Sequence, residues 1–197
     1  MNNKLKKRLL ASLIISLPVL YLLLSYVFNI KEDIMTDTTF EKIDILSSSF
    51  EHNGFIPQRY TGRGEDISPP LEIIGLSPDS QSIAIVMDDL DIPVIGTYNH
   101  WLIWNIPVQD HIPEDIPHGV SVESLNGAVQ GIGYGEHGYR GPKPPSFIKK
   151  PHRYQFHVYV LDCQIELNSD AKKKDLLQAI DGHVIQYGSI IGIYQNE

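Results

Sequence analysis

The chain has 197 residues, 42% of them hydrophobic and 20% charged, with Cys163 as its one cysteine. That composition excludes a disordered, fibrous or disulfide-stapled protein, and a single thiol builds neither an internal disulfide nor a thiolate zinc cluster. The net charge is −8, and four of the 16 basic side chains (Lys4, Lys6, Lys7, Arg8) fall in the first eight residues, which leaves 12 basic against 24 acidic groups beyond them. This excludes a nucleic-acid-binding domain, because phosphate backbones need a basic face.

Leu9 to Ile30 is a run of 22 uncharged residues rich in Leu, Ile and Val, and a membrane span needs roughly 20. Lys4, Lys6, Lys7 and Arg8 precede it while Glu32 and Asp33 follow, so the positive-inside bias places the amino terminus in the cytoplasm and the rest outside. The expected organisation is a basic cytoplasmic tail over 1–8, a transmembrane signal-anchor over 9–30, an acidic tether over 31–44 and one domain over 45–197. The competing reading is a cleaved signal peptide and a secreted domain. Against it, bulky Tyr26, Val27 and Phe28 stand where cleavage needs small residues.

Three runs read as buried strands: Ile83 to Met87, which ends at an acidic turn; His100 to Ile106, which closes at Pro107; and Tyr154 to Leu161. Gly and Pro cluster between them, at Ser68-Pro69-Pro70, Gly131 to Gly135 and Gly138 to Pro145, and mark long loops. A helix is expected from Ser169-Asp170, through Leu176, Leu177 and Ile180, to Asp181-Gly182, with glycine suited to a left-handed exit. Further helical turns are expected from His183. The pattern is mainly antiparallel β, a two-sheet sandwich with small helices near the carboxyl terminus.

Three polar constellations interrupt the runs: Asp88-Asp89-Leu90-Asp91-Ile92-Pro93, Asn99-His100, and Gly138-Tyr139-Arg140-Gly141-Pro142-Lys143-Pro144-Pro145 with Pro151-His152-Arg153-Tyr154. Singly, each has an ordinary structural explanation as a turn, a hydrogen-bonded histidine or a loop. In combination with Ser49-Phe50-Glu51, Gly54, Ile56-Pro57, Tyr60-Thr61, Ser68-Pro69-Pro70-Leu71, His100-Trp101, Asn105-Ile106-Pro107, Gly182-His183 and Gly192-Ile193-Tyr194, the chain resembles the phosphatidylethanolamine-binding protein family, in its bacterial and archaeal Raf-kinase-inhibitor-like branch. The resemblance covers roughly 45–197. It implies a Greek-key β-sandwich with a small carboxyl-terminal helical region and a pocket for phosphate-like anions and phosphoethanolamine head groups. The implied ligand-binding positions are Asp89, His100, Tyr139, Gly141, Pro144, His152 and Tyr154, with Asp91 and Pro145 shaping the walls.

Physical chemistry supports such a set. Phosphate oxygens need donors, which His100, His152, the Tyr139 hydroxyl and backbone N–H groups of the glycine-rich loop can supply. Asp89 repels a bare phosphate, so its expected role is to orient a histidine or to pair with an ammonium. The sequence also departs from the branch. Gly62 and Lys143 stand where many bacterial relatives have cysteine, which removes a thiol link between two loops and predicts a looser, more basic lip. Leu90 replaces proline between the aspartates, which frees the direction of Asp89.

Other signals carry less. Gly131-Ile132-Gly133-Tyr134-Gly135 has Glu136 where a nucleotide loop needs its third glycine, and is expected to be a flexible loop. Asp89, Asp91, His100 and His152 lack the local spacing of a metal site, no Gly-x-Ser-x-Gly elbow exists, and His157 and His183 read as core or helix-end residues. The expectation is a non-enzymatic, membrane-tethered binding module without cofactor, metal or catalytic residue, which takes a small anionic or zwitterionic ligand and engages or inhibits a partner protein at its rim. The alternatives are an extracytoplasmic hydrolase with His100 or His152 as general base and Asp89 as orienter, or an interaction surface with a vestigial pocket.

Overall fold

The computed structural model describes residues 40–94 and 96–196. The expected basic tail, membrane segment and most of the tether lie outside the described residues. Among the described residues no helix is long and apolar enough to cross a membrane.

Among the described residues thirteen strands form in chain order: β1 (Glu41–Lys42), β2 (Asp44–Leu46), β3 (Gly54–Phe55), β4 (Leu71–Ile74), β5 (Ser82–Ile92), β6 (Gly96–Ile106), β7 (His111–Ile112), β8 (Ser121–Val122), β9 (Ala128–Gln130), β10 (Ile132–Gly133), β11 (Glu136–His137), β12 (His152–Leu161) and β13 (Val184–Tyr194). The α-helix α1 (Lys173–Ala179) precedes β13. The main sheet runs β1-β13-β12-β5-β6-β9-β8, with β3 also on β13, and a second sheet runs β2-β4-β7. β1 and β3 pair with β13 in parallel, and the central pairings are antiparallel.

β5 and β12 are buried along most of their length because both faces of the main sheet are covered. That is why they read as continuous apolar runs instead of alternating ones. One face carries Ile83, Ile85, Met87, Trp101, Ile103, Phe156, Val158 and Val160, which join Ile45, Leu71, Ile73 and Ile112 of the smaller sheet in one core. The other face carries Val86, Leu102, Trp104 and Tyr159, all buried. Lys173 of α1 reaches that face, where its Nζ lies 2.8 Å from Asp88 Oδ2. The buried Leu176 and Leu177 give α1 an apolar side, and each such side chain contributes about 1.5–3 kcal/mol when removed from water.

Several expectations need correction. β5 does not end at an acidic turn but continues through Asp88 to Ile92, because its carboxylates find partners inside the fold. The helix starts at Lys173 and not near Ser169-Asp170. Asn168 Oδ1 takes the Asp170 N–H in a turn, and Asp175 accepts the Lys172 N–H at the true start. Its exit at Gly182, with φ +86°, is the left-handed one expected. The residues after His183 form β13, not further helix, since Val184, Ile185, Ile190 and Ile191 are β-branched and suit a pleated surface. The folded unit also begins before residue 45. β1 adds to the sheet edge through main-chain pairing to Gln186 and Tyr187, which two polar residues do not advertise.

Gly188 of β13 allows a close approach. A Cβ there would collide with the Ile43 carbonyl oxygen and press on Ile43 and Ile45 side chains, so the β1–β2 segment packs directly against the strand backbone. Gly188→Ala is expected to destabilise the fold by about 1–3 kcal/mol through overpacking, read from the midpoint of urea unfolding. A change below about 0.5 kcal/mol, the range of a neutral surface substitution, would show that the approach is not tight.

Candidate functional site

Asp89 and His152 lie on neighbouring strands, and His152 Nδ1 donates to Asp89 Oδ2 at 2.8 Å with both side chains only 1% exposed. Asp89 Oδ1 accepts the Asp91 N–H at 2.9 Å. Tyr154 pairs directly across from Asp89. Its hydroxyl is buried and leans on the Asp89 carboxylate without the geometry of a full hydrogen bond. Burial first, then the Asp89 charge and the hydroxyl's contact with that carboxylate, push the Tyr154 phenol well above its ordinary range, so it remains an O–H donor.

His100 reaches this cluster through a β-bulge. The β5–β6 register passes from Met87↔Trp101 to Asp88↔Asn99, which leaves His100 as the extra residue, and a bulge re-aims its side chain. The His100 ring meets Tyr154 edge-on at 5.3 Å and Tyr134 at 4.9 Å. Its Nδ1 donates to the Arg140 carbonyl at 2.7 Å, which leaves Nε2 as a lone-pair acceptor while the ring is neutral. Burial lowers its pKa below the ordinary imidazole value, partly opposed by the Arg140 carbonyl and by Asp89.

The site thus unites Asp89, His100, His152 and Tyr154, far apart in sequence. Asp91 adjoins it through its N–H to Asp89. Its carboxylate accepts the Arg153 N–H, Nε and Nη2 at 2.9–3.0 Å, and the Arg153 bond holds the Asp91 carboxyl below its ordinary range. With Asp91 fixed by Arg153 and Asp89 by His152, the absence of proline at Leu90 leaves Asp89 well directed.

Two positions do not offer the groups expected of them. Tyr139 is buried in the core, edge-on to Trp101 and stacked on Phe156, and its hydroxyl donates to the Tyr60 carbonyl at 2.7 Å. It acts as a packing residue with no proton free for a ligand. The Gly141 N–H is likewise engaged by Asp66 Oδ1 at 2.7 Å. A Cβ at Gly141 would collide with the Tyr60 carbonyl, so glycine serves loop packing there. Pro144 and Pro145 present their carbonyls to Arg63 and Asn196, beside a groove of about 630 Å³ whose lining includes Arg63, Tyr194 and Asn196. The loops at Gly62 and Lys143 are not loose despite lacking cysteines, for Gly62 N–H donates to the Pro142 carbonyl and Arg63 Nη2 to that of Pro144.

Tyr98 and Tyr134 were not expected from the sequence. Tyr98 lies edge-on to Tyr134 at 5.4 Å and to His100 at 6.1 Å, and both are roughly half exposed. They form an aromatic rim over the buried imidazole. The glycines of 131–135, expected to be a flexible loop, make the β10–β11 hairpin instead. Tyr134 and Gly135 sit at its tip with φ +51° and +88°, the left-handed pair of a two-residue turn. The turn carries Tyr134 onto His100. An aromatic at the tip of a Gly-x-Gly-Tyr-Gly hairpin is the signal that would have found it.

Residues 46–195 match the family model described as phosphatidylethanolamine-binding protein. The chain belongs to this family. A UPF0098 protein of Pyrococcus horikoshii is 45% identical over 159 residues, covering 80% of this chain and 79% of that protein. A phosphatidylethanolamine-binding protein homolog of Chlamydia trachomatis, solved by crystallography, is 30% identical with a TM-score of 0.70, covering 80% of this chain and 99% of that one. Escherichia coli YbcL superposes with a TM-score of 0.71 at 26% identity, covering 79% and 99%. The mainly β fold of the family is therefore the fold of the described residues, with α1 as a small helix among them.

On the opposite face of β5 lies a second buried carboxylate. Asp88 accepts from Lys173 Nζ at 2.8 Å and Asn99 Nδ2 at 3.1 Å, with His157 Nε2 at 3.6 Å. His157 also bonds Tyr187. His157 is thus a core histidine, as expected.

Because burial favours neutral His100, the unfolded chain binds a proton more readily than the folded one below about pH 6.5. Stability should therefore be full above that pH and decline as pH falls towards the lowered pKa. The loss amounts to about 1.4 kcal/mol for each unit of depression. Urea unfolding across this range should show a shallower decline for His100→Gln than for the natural chain. Parallel profiles would rule out His100 as the titrating group.

Proposed function

We propose that this family member is a binding protein whose Asp89–His152–His100–Tyr154 cluster takes a small phosphorylated or zwitterionic head group of the phosphoethanolamine type. The observation that carries the reading is the Tyr154 hydroxyl, buried beside a carboxylate–imidazole pair and making no full hydrogen bond of its own, with only the Asp89 carboxylate to lean on. A buried donor left unmade costs about 1–3 kcal/mol, and a ligand oxygen recovers it. The Asp89 carboxylate keeps lone pairs beyond those engaged by His152 and the Asp91 N–H, and these suit an ammonium. The half-exposed Tyr98 and Tyr134 rings suit the same cation by their faces. His100 Nε2, an acceptor when neutral, fits a protonated phosphate oxygen or the ammonium and becomes a donor to phosphate when protonated.

In this reading the apolar run at 9–30 holds the domain outside a membrane, where lipid head groups are close by, and the rim engages a partner protein. The chain does no chemistry of its own. A hydrolytic reading has one observation in its favour: an imidazole held by a buried carboxylate is also how a general base is oriented. Turnover is therefore measured alongside binding.

Calorimetric titration of the full chain should show phosphoethanolamine binding more tightly than inorganic phosphate. Asp89→Asn should weaken it by about tenfold or more, the worth of a hydrogen bond to a charged group. Inorganic phosphate affinity should rise as pH falls below about 6.5, and the difference between the natural chain and His100→Ala removes the titration of phosphate itself. Equal affinities for the two ligands in both Asp89 forms would defeat the reading, as would His152-dependent release of product from a phosphate ester.

A further inference from the structure

Outside this site, β12 ends and β13 begins side by side. Asp162 N–H donates to the His183 carbonyl at 3.0 Å, and the Cys163 carbonyl accepts from Ser82 Oγ, so the backbone here is locked on both sides. From this frame Asp162, Cys163 and His183 project a carboxylate oxygen, a thiol sulfur and an imidazole nitrogen that all lie within 4.8 Å of one another. Asp162 and His183 are each about half exposed, and His183 Nδ1 lies 2.9 Å from Asp162 Oδ1. None of these residues belongs to the head-group site.

We propose that Asp162, Cys163 and His183 form a surface site for a thiophilic divalent cation, zinc by its donor set, with solvent completing a tetrahedron. Sulfur and imidazole together select zinc over magnesium or calcium, which prefer oxygen. Bond lengths of about 2.0–2.3 Å for nitrogen, oxygen and sulfur on zinc put tetrahedral donors roughly 3.3–3.8 Å apart. The spacing here brackets that distance, so rotation of exposed side chains closes the site without backbone movement. Two changes accompany binding. The thiol proton leaves to solvent as the metal–sulfur bond forms. The Nδ1 proton now given to Asp162 transfers through solvent to Nε2, so that Nδ1 and the carboxylate both face the ion. The helix exit at Gly182, with φ +86°, delivers His183 to this corner, which gives that loop a role that packing alone does not require.

Cobalt is the probe, because thiolate-to-cobalt charge transfer absorbs in the near ultraviolet where the protein alone does not. The full chain, kept reduced with a phosphine, should bind one equivalent of Co²⁺ with this band, and added Zn²⁺ should abolish it. Cys163→Ala should remove the band. His183→Ala and Asp162→Ala should each weaken Zn²⁺ binding by at least tenfold, measured by competition with a chromophoric chelator. His111→Ala, at an exposed histidine of the smaller sheet, should leave it unchanged, and thermal melts verify that each variant folds. No band at saturating Co²⁺, or Zn²⁺ affinity unmoved in the His183 and Asp162 variants, would overturn the proposal.

Discussion

Strand β5 carries two carboxylates in succession, Asp88 and Asp89, and both are buried. A strand sends consecutive side chains to opposite faces, so neither can share the other's partner. An unpaired buried carboxylate costs several kcal/mol, so each face of the sheet must supply its own cation or donors. On one face Lys173, Asn99 and His157 do so, which ties α1 to the sheet. On the other, His152 and the Asp91 N–H satisfy Asp89. The helix packing and the candidate site are thus two answers to one electrostatic demand made by adjacent residues.

The two answers differ in completeness. Around Asp88 a lysine, an asparagine amide and a histidine close over the carboxylate. Around Asp89 they are a histidine and a main-chain N–H, and next to them stand a tyrosine hydroxyl that makes no full hydrogen bond and an imidazole with only one nitrogen engaged. The surrounding loops are firmly held. Arg140 pairs with Asp66 and Glu136, and Arg63 bonds Asn196 and the Pro144 carbonyl. A rigid surround with unmet hydrogen-bonding capacity at its centre is the arrangement that binding requires, since the ordering cost is met at folding and not at association.

Much of this was legible before any coordinates. The three long strands over Ile83, His100 and Tyr154 show in apolar and β-branched runs, and Asp89, His100, His152 and Tyr154 converge as the motifs implied. What was not legible depends on partners remote in sequence. β1 is two polar residues whose strand character comes wholly from β13. β13 itself is interrupted by Gly188 and Gly192, which weaken its pattern and are present because Ile43 and Ile56 cross there. Tyr139 and Gly141 looked like ligand groups by type, yet the Tyr60 carbonyl and the Asp66 carboxylate claim their protons. Tyr134 looked like part of a loose glycine tract, and only the hairpin's left-handed tip shows where it points.

The charge of the domain narrows what such a site can hold. Beyond Arg8 the chain has twice as many acidic as basic side chains, so a bare phosphate dianion is repelled once it comes within a Debye length, about 8 Å at physiological salt. At the site it meets Asp89 and, near neutral pH, an imidazole whose free nitrogen is an acceptor. Tyr154 then offers it a donor where neutral His100 offers none. A zwitterion approaches without net repulsion, gives its ammonium to Asp89 and the tyrosine faces, and needs only Tyr154 for a phosphate oxygen. The buried pair and the lowered His100 pKa therefore bias the site towards ligands that bring their own cation, and acidification relaxes that bias by turning His100 into a second donor.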